Sequence, residues 1–127
     1  MYFGIQMTAD TYDDDVAFRA YTLRHFAFLM TPLERRTIEY STPIVGDSDH
    51  SKIKRLHQLL EERDGHVADE DVYAAFNVSY EERKRNALDR VISVHGDTIT
   101  ENRCPRCERL VRTPVARQCL WCGHDWH

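Results

Sequence analysis

Apolar residues along this chain recur at helical intervals far more often than they alternate. From Asp13 onward, Val16, Ala20, Leu23, Ala27 and Met30 are spaced by fours and threes and line one face of a helix. Phe18, Tyr21, His25, Phe28 and Leu29 widen that face, so this segment is expected to be the central helix. Thr31, Pro32 and Glu34 supply an N-cap, a proline at the first helical position and a glutamate at the third, predicting a short helix to about Tyr40. Residues 41–51 read as a connecting loop with an extended piece at Ile44 and Val45. Ile53, Leu56, Leu59 and Leu60 predict another amphipathic helix, closed by Gly65. A shorter helix is expected over residues 68–76. Ser79 and Glu82 form a second capping pattern, from which Ala87, Leu88, Val91, Ile92 and His95 carry a helix to Gly96. The apolar residues 1–7 suit either a short strand or a packed terminal segment.

The pattern changes at residues 96–104, where Thr98, Ile99 and Thr100 suit an extended strand leading into a cysteine-rich tail. The expected fold is therefore mainly α. A helical domain of about four or five helices occupies residues 1–97, and a small module with a β-hairpin occupies residues 98–127. A length of 127 residues with 42% hydrophobic and 30% charged residues allows one ordinary domain plus such a module. No internal repeat is evident in the sequence. No apolar run approaches the roughly 20 residues needed to cross a bilayer, and the N-terminus has neither a basic region nor a cleavage pattern. A cytoplasmic protein without a membrane partner is the expectation.

All four cysteines lie in the tail. Cys104 and Cys107 form one C-x-x-C, Cys119 and Cys122 another, and eleven residues separate the pairs. Each C-x-x-C turn presents two thiolates to one ion, and two turns complete a tetrahedral four-sulfur shell. The spacer is long enough for a hairpin bent at Thr113 and Pro114, and Gly123 suits the turn after the second pair. One structural Zn²⁺ on Cys104, Cys107, Cys119 and Cys122 is the expected cofactor, with a rubredoxin-like iron site as the other metal reading. Two disulfides would require an oxidising compartment. Redox chemistry at Cys104 and Cys107 would require a preceding strand in a βαβ unit. The tail from Arg112 to His127 resembles the C-terminal zinc ribbon of small uncharacterised bacterial proteins with dissimilar N-terminal regions. That resemblance implies the same four ligands and no activity.

Other candidates have plainer readings. Asp10, Asp13, Asp14 and Asp15 match a charge cluster at a helix start better than a metal or general-base site. His25, His57 and His95 fall on or beside apolar faces and are expected to be hydrogen-bonded boundary residues. His124 and His127 follow a cysteine set that already fills a zinc shell. Trp121 and Trp126 either cover the metal site and dock the module, or form a contact surface. The basic residues within Glu81–Arg85 are interleaved with carboxylates, as on a solvated helix.

Charge separates the two parts of the chain. From Glu101 onward five arginines face three acidic residues, a balance of +2, whereas residues 1–100 hold 12 basic and 18 acidic groups, a balance of −6. An acidic body argues against general nucleic-acid binding and suits a basic protein partner. No phosphate-loop, dinucleotide, zincin or nucleophile-elbow motif occurs. The function expected is non-enzymatic protein binding, for instance by an immunity or antitoxin-like protein that masks a basic toxin. A nucleic-acid-associated regulator is the alternative.

Overall fold

The computed structural model describes residues 11–127. The expectation for residues 1–7, and Asp10 of the acidic cluster, lie outside the described residues. Among the described residues five α-helices follow in order: α1 (Asp14–His25), α2 (Pro32–Glu39), α3 (Ser51–Asp64), α4 (Asp69–Ala75) and α5 (Tyr80–His95), with a 3-10 turn at Ala27–Leu29. Among the described residues none of these helices is long and apolar enough to cross a membrane.

The helix starts follow local chemistry. Asp13 caps α1 by accepting from Val16 N–H. The Thr31 hydroxyl accepts from Glu34 N–H while the Glu34 carboxylate accepts from Thr31 N–H, completing a capping box at α2. Ser79 Oγ accepts from Glu82 N–H at the start of α5. Gly65 ends α3 at φ +94°, a backbone region that residues with a Cβ rarely enter.

α1 departs from expectation in length and in face. It ends at His25, well before Met30. Phe26 leaves the helical region with its N–H bonded to Thr22 O at 2.8 Å. Pro32 disfavours a helical conformation at Thr31, which is extended at φ −70°, ψ 160°. The buried positions of α1 are Tyr21 and Thr22, whereas Val16 is 63% exposed. Tyr21, expected on the apolar face, is covered, but Val16 and Ala20 at the centre of the expected stripe are exposed.

The chain divides into two compact units, Met1–Ala27 with His95–His127, and Phe28–Val94. α1 thus groups with the cysteine module. The reason lies in long-range polar contacts. Tyr21 Oη donates to Thr100 O at 2.6 Å, Leu110 N–H donates to Tyr12 Oη at 3.0 Å, and His25 Nε2 lies 2.9 Å from Arg112 O.

Within the Phe28–Val94 unit, α2 packs against α4. Val45, Val67 and Val72 form a buried cluster with Leu33 and Phe76 against it. α5 buries Ala87, Leu88 and Val91. Arg90 reaches back from α5 to the α2 cap, donating to both Glu34 carboxylate oxygens at 2.7 and 2.8 Å and to Leu29 O at 3.1 Å. The loop before α3 is pinned by the Asp69 carboxylate, which accepts from the N–H groups of Gly46 and Asp47. A Cβ at Gly46 would lie 2.9 Å from the His57 ring, so a larger residue there would displace that ring. Arg36 is 1% exposed, with Nη1 3.6 Å from Glu61 Oε2.

Among the described residues there is no sheet. No strand forms at Thr98–Thr100; the helix end runs into a turn, with Thr98 N–H bonded to His95 O and Ile99 N–H to Gly96 O. The expected hairpin between the cysteine pairs is not formed as a ladder. In its place Asn102 Nδ2 donates to both Thr113 O and Ala116 O at 2.8 Å, holding the spacer as a compact loop. Two isolated antiparallel bridges remain, Arg103 with Leu110 and Gln118 with Asp125.

Candidate metal centre

Those two bridges belong to equivalent local structures, a repeat of which the sequence shows only the paired C-x-x-C motifs. A shift of fifteen residues carries Cys104 and Cys107 onto Cys119 and Cys122. It also carries Cys104 N–H to Arg109 O (2.9 Å) onto Cys119 N–H to His124 O (2.8 Å). Glu108 N–H to Cys104 O maps onto Gly123 N–H to Cys119 O, both 2.9 Å, and Val111 N–H to Asn102 O (2.9 Å) maps onto Trp126 N–H to Arg117 O (3.0 Å). Even the unusual backbone matches, with φ +66° at Glu108 and +79° at Gly123. The expectation of no repeat is thus corrected at the level of structure. Beyond the cysteines the two copies share almost no residue type, because the shape is held by main-chain bonds.

The two knuckles bring four free thiols together, with all Sγ atoms within 4.8 Å of one another. Cys104 Sγ lies 3.6 Å from Cys122 Sγ, and Cys107 Sγ lies 3.6 Å from Cys119 Sγ. Four sulfurs placed about 2.3 Å from a shared centre in a tetrahedron sit about 3.8 Å apart, so the set is compatible with one metal ion. Cys104 and Cys119 are buried and Cys122 is exposed. Cys104 Sγ accepts N–H groups from Arg106 at 3.3 Å and Cys107 at 3.4 Å, and Cys119 Sγ accepts one from Trp121 at 3.3 Å. Such donors favour thiolate over thiol and orient the ligand. Burial alone would raise the Cys104 thiol, but these N–H donors outweigh it and bring it down to about 6. Burial dominates at Cys107, which is pushed up to about 11.

Aromatic and charged groups brace the cluster. Val111, Cys104 and Cys119 form its buried core, with Trp121 and Trp126 packed against it. Trp121 meets the Tyr12 ring edge-on at 5.0 Å, and the Arg109 guanidinium sits over both rings. Trp121 therefore docks the module onto the segment leading into α1, as one of the two readings of the tryptophans required. Arg103 donates to both oxygens of Asp14 at 2.8 and 3.2 Å and to Glu101 at 2.7 Å. The Arg103 hydrogen bonds, followed by that of Tyr12, hold the Asp14 carboxyl below the usual carboxylate range.

The remaining candidates do not converge. Among the described residues the four cysteines are the set of His, Cys, Asp and Glu donors that gathers in one place. Asp13 caps α1 and Asp14 holds Arg103, so these acidic residues act at the helix start. His57 lies 3.8 Å from carboxylate oxygens of both Glu61 and Asp69. His124 stacks on Trp126 at 5.7 Å, and His127 Nδ1 is 2.6 Å from Asp125. The supporting residues Tyr12, Asp14 and Asn102 were invisible to motif reading, because their roles depend on partners 11 to 98 positions away. Compared with known proteins, the chain matches no family model, no curated protein and no solved structure.

Proposed function

We propose that this chain is a small zinc-binding interaction protein in which the metal is structural and no reaction is catalysed. The supporting observation is the four-thiol cluster itself. A tetrahedral ion held by Cys104, Cys107, Cys119 and Cys122 has no open position for water or substrate, so the metal's contribution is folding energy. We read the module as a zinc ribbon reduced to its two knuckles. The partner is a protein with a basic face, as in an immunity or antitoxin-like pair. Support for that partner is the balance of the Phe28–Val94 unit, where 13 acidic residues face 10 basic ones. The nucleic-acid reading stands second, because Arg103 and Arg109 are committed to internal contacts.

Metal analysis of protein purified without added metal tests the proposal. One equivalent of zinc per chain is expected, lost on Cys104→Ser. An equivalent of iron, or oxidation to two disulfides with no metal, would overturn it.

A further inference from the structure

The unit containing α1 and the knuckles holds a pocket of about 300 Å³. Ala17 and Ala20 of α1 form one wall, and Leu120 and Trp121 of the second knuckle form another. Tyr21, Leu110 and Val111 extend the apolar lining, and Arg24 and Arg112 are its charged members. In a chain of net charge −4, this lining contains two arginines and no carboxylate. Both arginines are exposed, unlike Arg103, which is tied to Asp14. The volume falls at the lower end of the range for ligand sites, about 300–1,000 Å³, which suits one short apolar arm. A guanidinium fork matches the two oxygens of a carboxylate. The combination is apolar walls with a cationic pair, and it is complementary to a small amphipathic anion.

We infer that this pocket binds a medium-chain carboxylate. The acyl chain lies against Ala17, Ala20, Leu120 and Trp121, and the carboxylate is held by Arg24 and Arg112. Apolar contact supplies affinity, and the arginines distinguish the acid from a neutral chain of equal length. The walls come from α1 and from residues inside the second C-x-x-C, so the site requires the folded cysteine module.

Octanoate titrated into the full metal-bound chain tests this, followed through the methyl resonances of Ala17, Ala20 and Leu120 and the indole of Trp121. Saturable shifts at these four residues are expected. Octanol should bind ~10-fold or more weakly, since a hydrogen-bonded charge is lost. An Arg24→Gln, Arg112→Gln double variant should lose a similar factor for octanoate while keeping its metal content and helicity. Equal binding of octanol, an unaffected double variant, or no saturable shift at millimolar octanoate would each overturn the assignment. So would binding that appears only after residues 1–10 are removed, which would assign the pocket to the chain's own N-terminal segment. Tighter binding of a short peptide ending in leucine would move it to a protein C-terminus. Metal content measured in the same samples keeps any such failure separate from a failure of the zinc reading.

Discussion

Removing the proposed metal is expected to melt α1 together with the cysteine module, while α2 to α5 remain. The contacts that hold α1 are few and can be weighed. The Tyr21 side chain is 4% exposed, and burying such a ring is worth about 2 kcal/mol. The hydrogen bonds from Tyr21 to Thr100 and from Leu110 to Tyr12 add about 1 kcal/mol each. The Asp14–Arg103 pair is largely solvated and adds less than about 1 kcal/mol. The His25–Arg112 O contact adds about 1 kcal/mol, so about 5 kcal/mol ties α1 and the residues just before it to residues 99–112, and a 12-residue helix left alone in water is marginal. Among the described residues the five helices hold 12, 8, 14, 7 and 16 residues, so the loss of α1 is about a fifth of their helix. Far-ultraviolet circular dichroism should show ellipticity per chain at 222 nm falling by that fraction on chelation. A chain ending at Asp97 should start at the same reduced level and be insensitive to chelator. Undiminished helical signal in both would show that α1 is held independently of the module, and would refute the argument.

Two further outcomes follow from particular residues. Gly123→Ala places a Cβ where no atom lies within 4 Å, so its cost is backbone strain at φ +79°, about 1–2 kcal/mol, and metal affinity should weaken about tenfold. Glu108→Gly, at the equivalent position of the first knuckle, should bind metal at least as tightly as the parent chain; competition with a chromophoric chelator reads both, and an unweakened Gly123→Ala would contradict the strain argument. Burial opposes ionisation of Glu34, but hydrogen bonds from Arg90 and Thr31 outweigh it and hold its carboxyl below the ordinary range. Its stabilisation is therefore complete above the ordinary carboxylate value and lost as pH falls through the lowered folded value. Glu34→Gln keeps the cap but not the charge pair, so it should cost about 1 kcal/mol at neutral pH by denaturant titration, with the gap closing in acid. A gap independent of pH would refute that origin.

What the residues alone determined is local. The gathering of the four cysteines was legible because two C-x-x-C turns are short-range structures whose spacing sets the geometry of their thiols. The α2 and α5 starts and the Gly65 stop were legible for the same reason, since caps act within three or four positions. Tertiary structure decided everything that depends on distant partners. It ended α1 at His25 and left Val16 in solvent. It also moved α1 into the unit of the cysteine module through bonds from Tyr12, Asp14 and Tyr21. The knuckle repeat was hidden for a different physical reason: main-chain hydrogen bonds and two positive φ angles define it, and one of those angles falls on Glu108, a residue type that gives no sign of it.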